Sequence, residues 1–242
     1  MEGAARARDA AVTAAAPSGD RLRAPASLER SAAGRALQDA RRAAPGWAAR
    51  GVRQRLRVLG QLRRRLGADP LGLAQTAGAS PWRSSAAETL TAEVLPLLDA
   101  CRFLEREARR LLAPRRQGWR GRPPWLFGSA LEIRRDPLGV VLLIGPSNYP
   151  ILLAGVQALQ ALAAGNAVLI KPGRGGLEAM RALARGLAEA GLPDGVLRVL
   201  PEGVEQATEA LEAGVDKVIL TGSRTTGRRV LERLADRATP AV

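Results

Sequence analysis

Residues 140–235 alternate short β-branched apolar runs with segments of helical period, and few folds accept that pattern. "GVVLLIGP", "NAVLIKP", "GVLRVLP" and "DKVILTGS" read as strands. Between and after them, "ILLAGVQALQALAAG", "GGLEAMRALARGLAEAG", "GVEQATEALEAG" and "RTTGRRVLERLAD" read as helices. Strands that are apolar on both sides must be covered on both faces, which a parallel sheet with crossover helices achieves. Right-handed crossovers then give an α/β, doubly wound, Rossmann-like parallel sheet.

Upstream, residues 28–130 read as a helical segment and arm. "VRQRLRVLGQLRRRLGA" carries Val52, Leu56, Leu59, Leu62 and Leu66 on one face and Arg on the other. "SLERSAAGRALQDARRAAPGWAA" has helical spacing and is expected to break at Pro45-Gly46. Residues 86–113 predict a longer helix that tolerates Pro96 or kinks there. "APRRQGWRGRPPWLFG" breaks every period and reads as a linker or extended arm. Residues 1–27 read as a disordered tail rich in Ala and Arg, without the apolar stretch of a secretory signal. Residues 131–242 are the α/β part.

Composition excludes several chemistries. The chain has no His, so no His-based general base, triad or metal site can form. Its single Cys rules out a disulfide within the chain and suits a reducing, cytoplasmic setting. That residue, Cys101, falls on the apolar stripe of a helix and reads as a small buried hydrophobe, not a nucleophile. No apolar run reaches membrane-spanning length, so no membrane partner is expected. Nearly all of the net charge of +14 falls on residues 1–130, yet it is spread along amphipathic helices. All but two of the 37 basic residues are Arg, which reads as coding bias, so nucleic acid is not the expected partner.

Ligands of such sheets bind beyond the C-terminal strand ends, so the residues just after each strand matter most. After the first strand comes "GPSNYP". Asn148 there brings an amide that, from position alone, is expected to cap the next helix; the alternative is to steady a developing oxyanion. Lys171 ends the second strand, where it could reach a ribose or a phosphate. "TGSRTTG" follows the fourth strand: Gly222 permits close backbone approach, and Ser223 either caps the helix or touches a ligand.

Taken together, "PLGVVLLIGPSNYPILL", "ALAAGNAVLIKP", "AGLPDGVLRVLP" and "VDKVILTGSRTTGRRV" resemble the aldehyde dehydrogenase superfamily, in order and over about residues 30–242. The resemblance implies oxidation of a small-molecule aldehyde to an acid with NAD or NADP, through a Cys nucleophile and a water-activating Glu. It makes Asn148 the amide that steadies the oxyanion and Lys171 the contact to the adenosine ribose. It sets Gly222 and Ser223 near the pyrophosphate and Gly203 near the adenine-pocket helix.

The chain departs from the family at two places. Where relatives often have Lys-Pro-Ser-Glu, it reads Lys171-Pro172-Gly173-Arg174; losing that acid leans the site toward NADP, with Arg174 facing the 2′-phosphate. The sequence also stops before the Glu-Leu-Gly-Gly strand and the Cys domain that follow in relatives. It therefore resembles an incomplete aldehyde dehydrogenase fold, expected to be inactive alone: a nucleotide-binding fragment or split-enzyme subunit. "WLFGSALEIRRD" looks like part of an oligomerisation arm, so an oligomer or a missing partner chain is expected.

Overall fold

Five consecutive apolar residues, Val140–Ile144, are buried along their whole length, and they sit at the centre of the sheet. The computed structural model describes residues 30–77, 85–118, 123–126, 130–235 and 238–242; the tail expected over 1–27 lies outside them. In chain order the elements are helices α1 (Ala32–Ala49), α2 (Val52–Ala68) and α3 (Pro70–Thr76), then α4 (Ala86–Thr89) and α5 (Leu95–Leu112). Strands β1 (Arg115–Gln117) and β2 (Leu131–Ile133) follow, then β3 (Val140–Ile144), α6 (Leu152–Ala163), β4 (Ala167–Lys171), α7 (Leu177–Glu189), β5 (Leu197–Val199), α8 (Val204–Ala213), β6 (Lys217–Leu220) and α9 (Arg224–Leu234).

The main sheet has the order β5-β4-β3-β6 and every pairing is parallel. This is the doubly wound arrangement that the alternating periods predict. Side chains divide by parity, as a pleated strand requires. Val141, Leu143, Val168 and Ile170 enter one core with α2, α5, α6 and α7. Val140, Leu142, Ile144 and Leu169 enter the other with α1, α8 and α9. Residues 240–242 continue the sheet beyond β6, where Val218 and Leu220 donate to the carbonyls of Pro240 and Val242 at 3.0 and 2.8 Å.

The helical block joins the sheet through buried side chains. Trp47 is fully buried and its Nε1 donates to the Leu162 carbonyl at 3.0 Å. This explains why α1 does not break at Pro45 but runs through it to Ala49. An interior Pro costs about 3 kcal/mol. Burying a Trp offsets that, on the scale of the ~3–5 kcal/mol lost in core Trp truncations. Arg55 donates from Nε to the Ala163 carbonyl and from Nη1 to that of Ala48, both at 3.0 Å, so one guanidinium closes the ends of two helices. Burial pushes its pKa down, but an Arg stays charged there.

Pro96 neither breaks nor ends its helix. The five residues before α5, Leu90–Val94, form a π-helical turn, and Pro96 falls in the first turn of α5, where no amide donor is needed. Cys101, one turn on, is fully buried. Desolvation, and then the nearby Glu105, push its thiol up to about 12. Of the helix face expected from Val52, Leu56, Leu59, Leu62 and Leu66, the four leucines are buried and Val52 is half-buried against the same core.

The "AGNAV" segment is structural. Gly165 has φ +95, a conformation that favours glycine. Asn166 Oδ1 accepts from the amides of Leu138 and Gly139 at 2.7 and 3.2 Å, and its Nδ2 donates to the Ala161 carbonyl at 3.2 Å. The antiparallel pair β1–β2 stands apart from the main sheet, with β2 exposed throughout. Leu131, Ile133 and Trp125 are exposed there. Among the described residues, no helix is long and apolar enough to cross a membrane.

Two outcomes follow from these contacts. Replacing Asn166 with Ala strands the amides of Leu138 and Gly139, while the Ala161 carbonyl keeps the backbone amide of residue 166 at 3.0 Å, and should lower unfolding free energy by about 3 kcal/mol in urea denaturation; a loss below about 1 kcal/mol would refute this account of the segment. Cys101 should resist a small alkylating reagent at pH 8 in the folded protein and react once the chain unfolds. Because the folded thiol holds its proton more tightly than one with the ordinary pKa of 9.0, its stabilisation is complete below pH 9 and is lost as pH rises toward about 12.

Candidate cofactor-binding site

All four strands of the main sheet point the same way, so their C-terminal ends make one rim. Ile144 is level with Lys171 on one side and Leu220 on the other. Asn148, Lys171, Arg174, Gly203, Gly222 and Ser223 all follow or end these strands. β3 is the strand from which the chain moves first to β4 and later, in the opposite direction, to β6, so the switch point lies between β3 and β6.

Backbone contacts stitch the rim together. Gly145 donates to the Lys171 carbonyl at 2.9 Å and Thr221 to the Ile144 carbonyl at 3.0 Å. The Arg174 amide donates to Ser147 Oγ at 3.1 Å. Gly173 lies directly against the Pro146–Ser147 peptide, leaving no room for a side chain. The Ser of the family's common motif is therefore excluded here by the backbone of the neighbouring loop. Gln157 on α6 donates to Thr221 Oγ1 at 3.2 Å, which ties that helix to the tip of β6.

Asn148 is exposed, and no hydrogen bond of its side chain occurs among the described residues. It does not cap α6, contrary to the expectation from position alone. The amides of Ile151 and Leu152 are taken by Glu93 Oε2 at 2.7 and 3.0 Å. Glu93 is fully buried and comes from the π-helical turn before α5. A carboxylate reaching from the helical block does the capping, and the amide of Asn148 is left clear for another use.

Lys171 retains only 9% of its exposure, and its ammonium makes no hydrogen bond or ion pair among the described residues. Desolvation lowers its pKa; Glu202 and then Glu205 pull the other way without cancelling the effect. Glu202 Oε1 accepts from the Leu177 amide at 2.9 Å, at the start of α7. Glu205 folds back over Gly203, the residue that precedes α8. Arg174 is exposed, and its side chain has no partner among the described residues.

Ser223 caps α9, accepting from the Thr226 amide at 3.2 Å, and its hydroxyl also lies 3.0 Å from Thr226 Oγ1. A Cβ at Gly222 would meet nothing closer than 3.7 Å, so the fold itself does not require glycine there. The first turn of α9 carries no acid, which leaves its partial positive charge facing the rim. No group of three or more metal-ligating side chains forms among the described residues.

Sequence reasoning missed Glu93, Glu202 and Glu205. An acid inside the apolar stretch "TAEVLPLL" was the available signal for the first. Two acids around the "PEGVE" turn were the signal for the others.

A profile of the aldehyde dehydrogenase family matches residues 4–242. The chain is 33% identical over 207 residues to the 4,4'-diapolycopene aldehyde oxidase of Methylomonas sp, covering 85% of this chain and 38% of that protein. It is 43% identical over 109 residues to the geranial dehydrogenase of Castellaniella defragrans, covering 45% of this chain and 23% of that one. It thus spans about two-fifths or less of the length of these curated relatives. Among solved structures, an aldehyde dehydrogenase from Brucella melitensis superposes with a TM-score of 0.77 at 25% identity, over 86% of this chain and 42% of that one. The fold is shared too with an aldehyde dehydrogenase from Bacillus cereus solved as an NAD+ complex, with a TM-score of 0.75 at 21% identity, over 85% of this chain and 41% of that one. The chain belongs to the aldehyde dehydrogenase family.

Proposed function

We propose that this chain binds NAD or NADP along the sheet rim and supplies the cofactor-holding part of an aldehyde-oxidising enzyme. The observation that carries the reading is Lys171: a cation nine-tenths buried at a strand end, with no hydrogen bond or ion pair among the described residues. Folding does not gain from such a group, because desolvation outweighs the field of its acidic neighbours. A ligand offering oxygen atoms would supply the missing interaction.

In this reading Lys171 donates to the adenosine ribose, and Arg174 and Gly203 flank the adenosine end. Gly222 and Ser223 receive the pyrophosphate at the start of α9, where open space and free amides suit an anion. Asn148 extends beyond β3 with its amide unspent, in reach of an oxygen that gains charge during reaction. Bound NAD(P) supplies the hydride acceptor for aldehyde oxidation. The residues of the chain orient that cofactor, screen its phosphates and hold a donor for the oxyanion.

The nucleophile is not found within these residues. Cys101 is the single thiol of the chain and lies in the core of the helical block, pushed to about 12. At neutral pH it is neither ionised nor accessible. The chain alone is therefore a nucleotide-binding unit, and catalysis needs a thiolate from elsewhere, in a partner chain or a further segment. The exposed β1–β2 pair, with Leu131 and Ile133 outward, is a surface that such a partner or a second copy would cover.

Replacing Lys171 with Met should weaken binding of NAD(P) by about tenfold or more in calorimetry, as expected for loss of a charge-assisted hydrogen bond. The same variant should melt no lower than the parent chain. Unchanged affinity, or collapse of the fold, would remove the basis of the reading. Incubating the 242-residue chain with dinucleotide and a panel of aldehydes should yield no reduced cofactor; steady turnover would show that a nucleophile has been overlooked.

A further inference from the structure

The rim carries a charge pattern that bears on which dinucleotide it accepts, and it opposes the expectation drawn from Arg174. Arg174 stands in water, and only its backbone amide is anchored, on Ser147 Oγ. An exposed guanidinium gives a weak, salt-screened attraction. The acids are better placed. Glu202 is held by the Leu177 amide at the start of α7. Glu205 lies folded over Gly203, where the tip of β5 meets α8. Both carboxylates act on the Lys171 ammonium, which ends the adjacent strand β4.

Lys171 thus has two carboxylates in its surroundings and neither as a direct partner. A ribose hydroxyl fits between such groups, because it can accept from the ammonium and donate to a carboxylate at once. A 2′-phosphate cannot donate, and it carries a charge of roughly −1.5 to −2. To reach Lys171 it would have to approach both acids.

We propose that Glu205 accepts the adenosine 2′-hydroxyl, and that Glu205 and Glu202 together make this rim select NAD over NADP. The acceptor then comes from the loop after β5, not from position 174. Glu202 has a second task as the cap of α7, so Glu205 is the specificity-determining residue of the two. This inference rests on the reading of the rim as a dinucleotide site.

Calorimetric titration of the 242-residue chain with NAD and with NADP tests it. The expected result is binding of NAD at least about tenfold tighter. Glu205→Gln, an exposed position where the substitution keeps size and removes charge, should narrow the ratio to about threefold or less, mainly by improving NADP affinity. AMP and its 2′-phosphorylated form should show the same order when used as competitors, without depending on the nicotinamide end. Equal or tighter NADP binding by the parent chain overturns the selection while leaving the dinucleotide reading intact. So does an unchanged ratio in Glu205→Gln combined with loss of NADP affinity in Arg174→Ala. Failure of both dinucleotides to bind overturns the reading of the rim, and the selection with it.

Discussion

Burial of β3 on both faces is the constraint on which the rest of the structure depends. Its five residues alternate between two cores and leave no polar side to turn toward water. A strand of that kind has to be central, so it must pair on both edges with strands that carry their own covering helices. β4 takes one edge and β6 the other, and the chain reverses direction around β3 to reach them. The switch point at the strand tips is a consequence of satisfying one apolar segment.

Electrostatics at the rim has a different character from that of the helical block. Apart from the buried Arg55, several of the block's arginines form exposed pairs, such as Arg65 with Glu189 and Arg110 with Glu107. Such pairs contribute ~0–1 kcal/mol each. At the rim, an ammonium is withdrawn from water with no direct partner among the described residues, and the nearby acids are occupied with a helix start or folded over a glycine. Burial dominates its balance. Keeping such a group buried gives up some folding free energy.

The fold was legible because each strand and helix of residues 140–235 is consistent in period, length and punctuation. Leu152–Ala163 ends before a glycine at φ +95, and Arg224–Leu234 begins at a Ser that caps it, and both signals are local. Pro45 was misleading because its local penalty is overridden by Trp47, whose partner carbonyl at Leu162 is distant in sequence. From position alone, Asn148 reads as a cap for the same reason. Local logic favours the residue at hand, whereas the actual cap, Glu93, arrives from another helix. Lys171, Gly222 and Ser223 lie at strand tips, and strand tips can be located from the pattern. That Glu202 and Glu205 act on Lys171 was not legible, because the effect crosses from β5 to β4 and no spacing within "PEGVE" reveals it.

The contact between Gly173 and the Pro146–Ser147 peptide has a consequence for how this lineage can change. Any side chain at 173 would drive the two loops apart, because what it meets is backbone. Introducing a serine there is therefore not a neutral step that selection could retain alone. The loop after β3 would have to be rebuilt first, or in the same event. Drift at this edge is channelled into neighbouring positions, and a designer grafting a relative's motif would need to transplant both loops as a unit.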